Sequence, residues 1–147
     1  MYMVMYTELA HVRITMNGVT RTMSYEFDEK NEPTYIFEGH RISDKDSDEG
    51  DAFTRLLTSL YLLEMTGLEI PGPTGIQGDV LCTVEFELRN GIKNTVVCTT
   101  RDAATMYYYV NGQYIGGYGN QYYLTSGAAQ YGVQGCLNDL LKIMKLS

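Results

Sequence analysis

The feature that most limits what this chain can fold into is a pair of alternating runs around one Asn-Gly step. From Thr83 to Thr99 (TVEFELRNGIKNTVVCT), Val84, Phe86 and Leu88 stand two apart, with Thr83, Glu85 and Glu87 between them. A period of two puts the apolar set on one side of a strand and the polar set on the other. Gly91 can take the left-handed conformation that closes a tight turn, so the stretch predicts strand, turn, strand. Residues 12–27 (VRITMNGVTRTMSYEF) repeat the design around Asn17-Gly18. A half-buried hairpin used twice calls for an antiparallel sheet with a second layer over its apolar face.

In chain order, Tyr2, Val4 and Tyr6 alternate and are compatible with a leading strand. After the first hairpin, Asp28–Pro33 is a polar turn and Thr34–Phe37 a short strand ending at Glu38-Gly39. His40–Ser43 begins another strand or a loop. An acidic run, Asp44–Asp51, precedes the clearest helix, in which Phe53, Leu56, Leu57, Leu60 and Leu63 form one apolar stripe. Acids in its first turn suit the positive end of the helix dipole, and Gly67 is a C-terminal stop. The Pro- and Gly-rich stretch Gly67–Gly78 reads as a connector. The second hairpin, Val80–Thr100, is followed by a strand Thr105–Val110, an Asn111-Gly112 turn and a strand Gln113–Ile115. Gly116–Asn120 reads as a Gly/Tyr-rich loop and Tyr122–Leu124 as a last short strand. The final helix is expected from Ser126 to Lys145, with Val133, Cys136, Leu137, Leu140 and Ile143 on one face. Gly127, Gly132 and Gly135 weaken its first half by about 1 kcal/mol each relative to Ala.

The order of elements is the same in both halves. Asn17-Gly18 maps onto Asn90-Gly91 at a shift of 73, as do Tyr35 onto Tyr108, Gly39 onto Gly112 and Ile42 onto Ile115. The helices align at a shift of 80, so seven extra residues enter the second half, in the Gly/Tyr-rich stretch. Before the turn the best shift is 72, pairing Val12, Ile14 and Met16 with Val84, Phe86 and Leu88. The one-residue step means that Met16 and Val19 flank a two-residue turn, while Leu88 and Ile92 flank a three-residue loop with Gly91 left-handed. That register sets Phe86 opposite Asn94, Val84 opposite Val96 and Cys82 opposite Cys98. The expected fold is therefore α+β, with two tandem repeats. Each repeat is an antiparallel β-meander of about four strands followed by one amphipathic helix packed on its own sheet. The units are residues 1–67 and 80–147, joined by a connector at 68–79, as two small units or as one fused domain.

The two stretches His11–Gly67 and Val80–Leu146, each strand-rich and closed by a helix of the form of Phe53–Leu63 (FTRLLTSLYLL), resemble an uncharacterised extracytoplasmic bacterial domain, domain-of-unknown-function family 4340. The resemblance implies a domain held outside the cytoplasmic membrane by an anchor that is not in this chain. It also implies a role beside auxiliary parts of ABC-type transport systems. It transfers no catalytic signature.

The residues themselves point to binding. A net charge of −7 with 11 scattered basic residues argues against a nucleic-acid partner, which calls for concentrated Lys and Arg. Met1–Tyr6 is too short for a signal peptide, and no run reaches the ~18 apolar residues of a membrane helix. The chain opens abruptly in apolar residues and ends just after a helix, which is the look of a piece of a longer protein. Three cysteines do not make a disulfide scaffold. Asp44, Asp46 and Asp48 begin like a calcium loop, but Glu49 and Arg55 occupy the positions of its Gly and its bidentate Glu, so the run is read as helix-capping acids. His11 and His40 stand alone, no Ser sits in a nucleophile elbow, and no acid/base pair assembles. No enzyme activity, metal or cofactor is expected. Tyrosine is abundant, with 13 in the chain. Tyr107 and Tyr109 are read as strand residues, whereas Tyr114, Tyr118, Tyr122, Tyr123 and Tyr131 gather around the extra residues. Tyrosine offers contact area with few rotors and a polar tip, so Tyr114, Tyr118, Tyr122 and Tyr123 are the candidate binding surface. The expected partner is a protein at the cell envelope, or else a glycan or peptide.

Overall fold

The computed structural model describes residues 9–30, 32–65 and 75–147, with the side chains of 61–65 and 115–118 outside that description. The leading strand expected at residues 1–8 and the Gly67 stop lie outside the described residues. Strands β1 (Leu9–Met16), β2 (Val19–Phe27), β3 (Pro33–Phe37) and β4 (His40–Ile42) precede helix α1 (Asp48–Met65). Strands β5 (Val80–Leu88), β6 (Lys93–Thr100), β7 (Thr105–Val110) and β8 (Gln113–Asn120) lead to a short α2 (Tyr122–Thr125) and to α3 (Val133–Ile143).

All eight strands form one antiparallel sheet in the order β4-β3-β2-β1-β5-β6-β7-β8. Each run of four pairs in chain order, and β1 joins β5 at the middle. The turns follow from their sequences. Asn17 and Gly18 are both left-handed (φ 52° and 76°), so Met16 pairs with Val19 across two residues, and Glu38-Gly39 and Asn111-Gly112 close their hairpins in the same way. Around Gly91 (φ 87°), Leu88 N–H donates to Ile92 O and the loop has three residues. Phe86 therefore pairs with Asn94, Val84 with Val96 and Cys82 with Cys98, the register that the spacing predicts.

Alternation then sorts the two faces. Val12, Ile14 and Met16 on β1, Met23 and Tyr25 on β2, Cys82, Val84, Phe86 and Leu88 on β5, and Met106 and Tyr108 on β7 are buried on one side. Both long helices lie there. Phe53 of α1 stacks on Tyr35, with ring centroids 4.6 Å apart, and meets Tyr25 edge-on at 5.7 Å. A half-open groove of about 210 Å³ lies between Leu137 and Leu141 of α3 and Ile14, Met16 and Val19 of the first hairpin. The expectation that each helix covers its own sheet is thus corrected: there is one sheet, α1 touches β3 and β7, and α3 reaches the first hairpin. Twenty-five cal/mol per Å² of buried apolar area, the usual order of magnitude, favours closing two half-covered sheets into one continuous core.

Three elements differ from the sequence reading. Gly116–Asn120 is no loop but the second half of β8, which runs to Asn120 opposite Thr105. Tyr122–Leu124 is helical rather than extended, because Asn120 Oδ1 accepts the Tyr122 N–H (2.9 Å) and starts a helical turn. The last helix begins at Val133 rather than Ser126: Ser126 is extended, its hydroxyl accepts the Ala128 N–H, and Gly132 is extended too. Side-chain competition for backbone and the two glycines Gly127 and Gly132 are what stop a helix there, whereas Gly135 lies within α3. The cap of α1 is Ser47, whose Oγ accepts the Gly50 N–H at 3.1 Å, and not an acid: Asp44 only orders the turn before the helix, its Oδ1 accepting the Asp46 N–H at 2.9 Å.

Candidate functional site

The tyrosines of the second half fall into two groups on different parts of the molecule. The first lies on the sheet face away from the helices. Because Met106 and Tyr108 point into the core, Tyr107 and Tyr109 must point out of the opposite face. Tyr109 is nevertheless fully buried. Tyr107 and Tyr114 meet it edge-on at 6.4 and 5.9 Å, and Tyr107 meets Tyr114 at 5.7 Å. The segment Gly75–Asp79 crosses beside them: Gln77 N–H donates to Tyr109 Oη (3.2 Å) and Asp79 N–H to Thr100 Oγ1 (2.9 Å). Thr99, paired with Tyr107 in the ladder, is fully buried, and its hydroxyl has no hydrogen-bond partner among the described residues.

The second group surrounds α2. Gln121 holds this turn to the β6–β7 loop, its Nε2 donating to Asp102 O (2.6 Å) and Thr105 O (2.8 Å), and Leu124 anchors it in the core. On this base Tyr122 is 49% exposed and Tyr123 62%, their rings edge-on at 5.6 Å. Gly132 packs against the Tyr123 carbonyl so closely that a Cβ there would collide with it. Tyr131, next to Gly132 in the chain, is 71% exposed. Tyr131 also closes a cleft of about 290 Å³ against Thr54, Arg55, Thr58 and Ser59 of α1. The Arg55 guanidinium is 3.5 Å from Asp139, which ties α1 to α3 behind the cleft.

The four predicted surface residues are thereby separated. Tyr114 is half-buried in the first group, and Tyr122 and Tyr123 are exposed in the second. Tyr118 pairs with Tyr107 through its backbone, but its side chain lies outside the described residues. Sequence reading assigned Tyr107 and Tyr109 to the strand and missed that they build the first group. The available signal was their alternation with Met106 and Tyr108, given that these are core. Nothing in the sequence announced that Gln77 would reach Tyr109, or that the Thr99 hydroxyl would be left without a partner.

Elsewhere, His11 and His40 are exposed and lie on different strands, and among the described residues no three His, Cys, Asp or Glu side chains are grouped to hold a metal ion. Burial pushes the Cys82 thiol up to about 12 and Cys98 well above its ordinary value, so both are held as neutral, inert hydrophobes. Cys136 is also raised by burial, and all three thiols are free. Among the described residues no helix is long and apolar enough to cross a membrane. Comparison of the chain with family models, with curated proteins and with solved structures gives no match.

Proposed function

We propose that this chain is a non-catalytic interaction domain that captures a partner through the exposed tyrosines of α2 and the turn beside it. The observation that carries this reading is the exposure of Tyr122, Tyr123 and Tyr131, at 49%, 62% and 71%, although the backbone beneath them is held by Leu124, Gln121 and Gly132. Aromatic area presented on a fixed base loses little conformational entropy on binding, which is what makes tyrosine effective at interfaces. The wider setting we propose is that of the family resemblance: an extracytoplasmic part of a bacterial membrane-anchored protein, accessory to an ABC-type transport system, with a protein partner at the envelope. We further read the two runs of four strands, each followed by a helix, as tandem repeats; the matching turns at Glu38-Gly39 and Asn111-Gly112 and the matching strand order support it.

The first tyrosine group favours a second reading, a glycan- or peptide-binding module. Tyr107 and Tyr114 present half-buried rings, edge-on to one another, on the sheet face away from the helices, and such rings suit a sugar or an extended peptide. Labelled domain is titrated against purified envelope proteins and against a panel of glycans and peptides. The Tyr122→Ser/Tyr123→Ser variant should lose the protein partner and keep glycan binding, and Tyr107→Ser/Tyr114→Ser should do the reverse. Binding that survives both double variants sinks both readings.

A further inference from the structure

The seam between β1 and β5 has a symmetry that the rest of the sheet lacks. Val12 pairs with Phe86, Arg13 with Glu85 and Ile14 with Val84. In the sequence correspondence between the halves, Val12 matches Val84 and Ile14 matches Phe86, at a shift of 72. Exchanging the halves therefore maps this pairing onto itself, and the point that does not move is Arg13, which faces its own counterpart Glu85, 72 residues on. An antiparallel pair with such a centre is an isologous contact, the kind by which two copies of one strand pair across a two-fold axis. A one-residue bulge between Leu9 and His11 breaks the correspondence only at the far end.

At the centre of such a contact a residue meets itself, so a single charge there would repel its own copy. Here it does not. Arg13 Nη1 lies 3.0 Å from Glu85 Oε1 and 3.9 Å from Glu87 Oε2, and Lys93 Nζ lies 3.6 Å from Glu85. Two β1 strands meeting in this register would set guanidinium against guanidinium, and two β5 strands carboxylate against carboxylate. Only β1 with β5 is complementary, which is discrimination by repulsion of the wrong pairings as much as attraction of the right one.

We propose that the β1–β5 seam is an interface open to a second copy of this chain, formed by exchange of halves, with Arg13 and Glu85 as the pair that determines which strands join. In the exchanged dimer β1 of each copy lies on β5 of the other, and every seam contact is kept. In the single chain the tether favours internal closure through effective concentration, so exchange emerges when the internal seam is mismatched.

The test uses the full chain. Arg13→Glu sets carboxylates against one another at the seam, and Glu85→Arg sets guanidinium against guanidinium. If these two variants are unfolded together and refolded in equal amounts at low salt, exchange makes both seams of a mixed dimer complementary. The expected result is a dimer holding one copy of each, in several-fold excess over either variant refolded alone, measured by light scattering and mass spectrometry of differently tagged chains. The excess should collapse at 1 M salt, where screening acts over about 3 Å. The double variant Arg13→Glu/Glu85→Arg, complementary within one chain, should refold as a monomer. No mixed dimer from the equal mixture, or a double variant that does not fold, overturns the proposal.

Discussion

The two runs of four strands agree where the backbone decides and differ where it does not. Both pair in chain order, and both close their last hairpin with a left-handed pair, Glu38-Gly39 in one and Asn111-Gly112 in the other. After that turn they part. β4 has three residues and hands over to α1 through a capped acidic loop, whereas β8 has eight, carries an irregularity opposite Tyr107–Tyr109, and continues into α2 and the turn before α3. Their open faces differ as well: Arg13, Thr15, Thr20 and Thr22 in the first run, Tyr107, Tyr109 and Tyr114 in the second. Turn chemistry and inward alternation are fixed by φ and by the core. The outer strand and the open face tolerate change, and that is where specificity can accumulate.

Four perturbations break or sharpen this contrast. The largest acts on the helices. Phe53→Ala removes the ring that stacks on Tyr35 and meets Tyr25, and should cost about 3–5 kcal/mol. Val133 stands at the corresponding place of α3 and is a smaller, aliphatic side chain, so Val133→Ala should cost about 1–2 kcal/mol by the methyl groups it loses. Equal losses in denaturant unfolding would mean that the first run is not the one held by aromatic packing.

Next comes alkaline pH. The thiols Cys82 and Cys98 have no counterpart in the first run, where the matching residues are Ala10 and Tyr25. Their folded values are raised, so the native state holds protons that the unfolded chain gives up. Stability from this source is complete below the ordinary thiol value of 9.0 and falls as pH climbs toward about 12. Each thiol should contribute a slope of up to ~1.4 kcal/mol per pH unit in that window. Comparison with Cys82→Ala/Cys98→Ala isolates it, and identical slopes above pH 9 would show that neither thiol is held protonated.

A smaller effect is expected at Tyr109→Phe, which removes only the acceptor of the Gln77 N–H and should cost about 0.5–1.5 kcal/mol. Hydrogen exchange at Gln77 should accelerate while the amides of β7 keep their protection. Smallest is Tyr122→Ser/Tyr123→Ser: two exposed side chains should move stability by no more than about 0.5 kcal/mol each. A cooperative loss of structure in the double variant would make these residues part of the core and remove them from any binding surface.

How much of this was legible in the residues depends on range. The hairpin at Asn17-Gly18, the three-residue loop at Gly91 and the Cys82–Cys98 pairing follow from alternation and φ alone, and they were readable. The stripe Phe53, Leu56, Leu57, Leu60 fixed a helix face for the same reason. That β1 would join β5 was not readable, since the outward residues of a strand say nothing about which neighbour it takes. Gly116-Gly117 looked like a loop because glycine is a poor strand former. Pairing with β7 overrides that preference, as tertiary context does for weak propensities. Ser126–Gly132 looked helical because the apolar spacing of α3 was extended backwards past residues whose side chains and glycines favour turns. Of the candidate surface, the exposure of Tyr122 and Tyr123 was anticipated, while the burial of Tyr109 under backbone from the connector was not.

The strand order carries a consequence for the time the chain takes to fold. Every pairing but one joins strands that follow each other in the chain, across loops of two to five residues, and such hairpins form on a scale of microseconds. The exception ties Val12 to Phe86 and cannot form until the whole of the intervening chain has been brought round. Loop-closure entropy therefore concentrates in one event. Substitutions along β1–β5 should slow folding, while those at Ile42 on the outer strand should mainly speed unfolding. The middle of this sheet is its last seam to close.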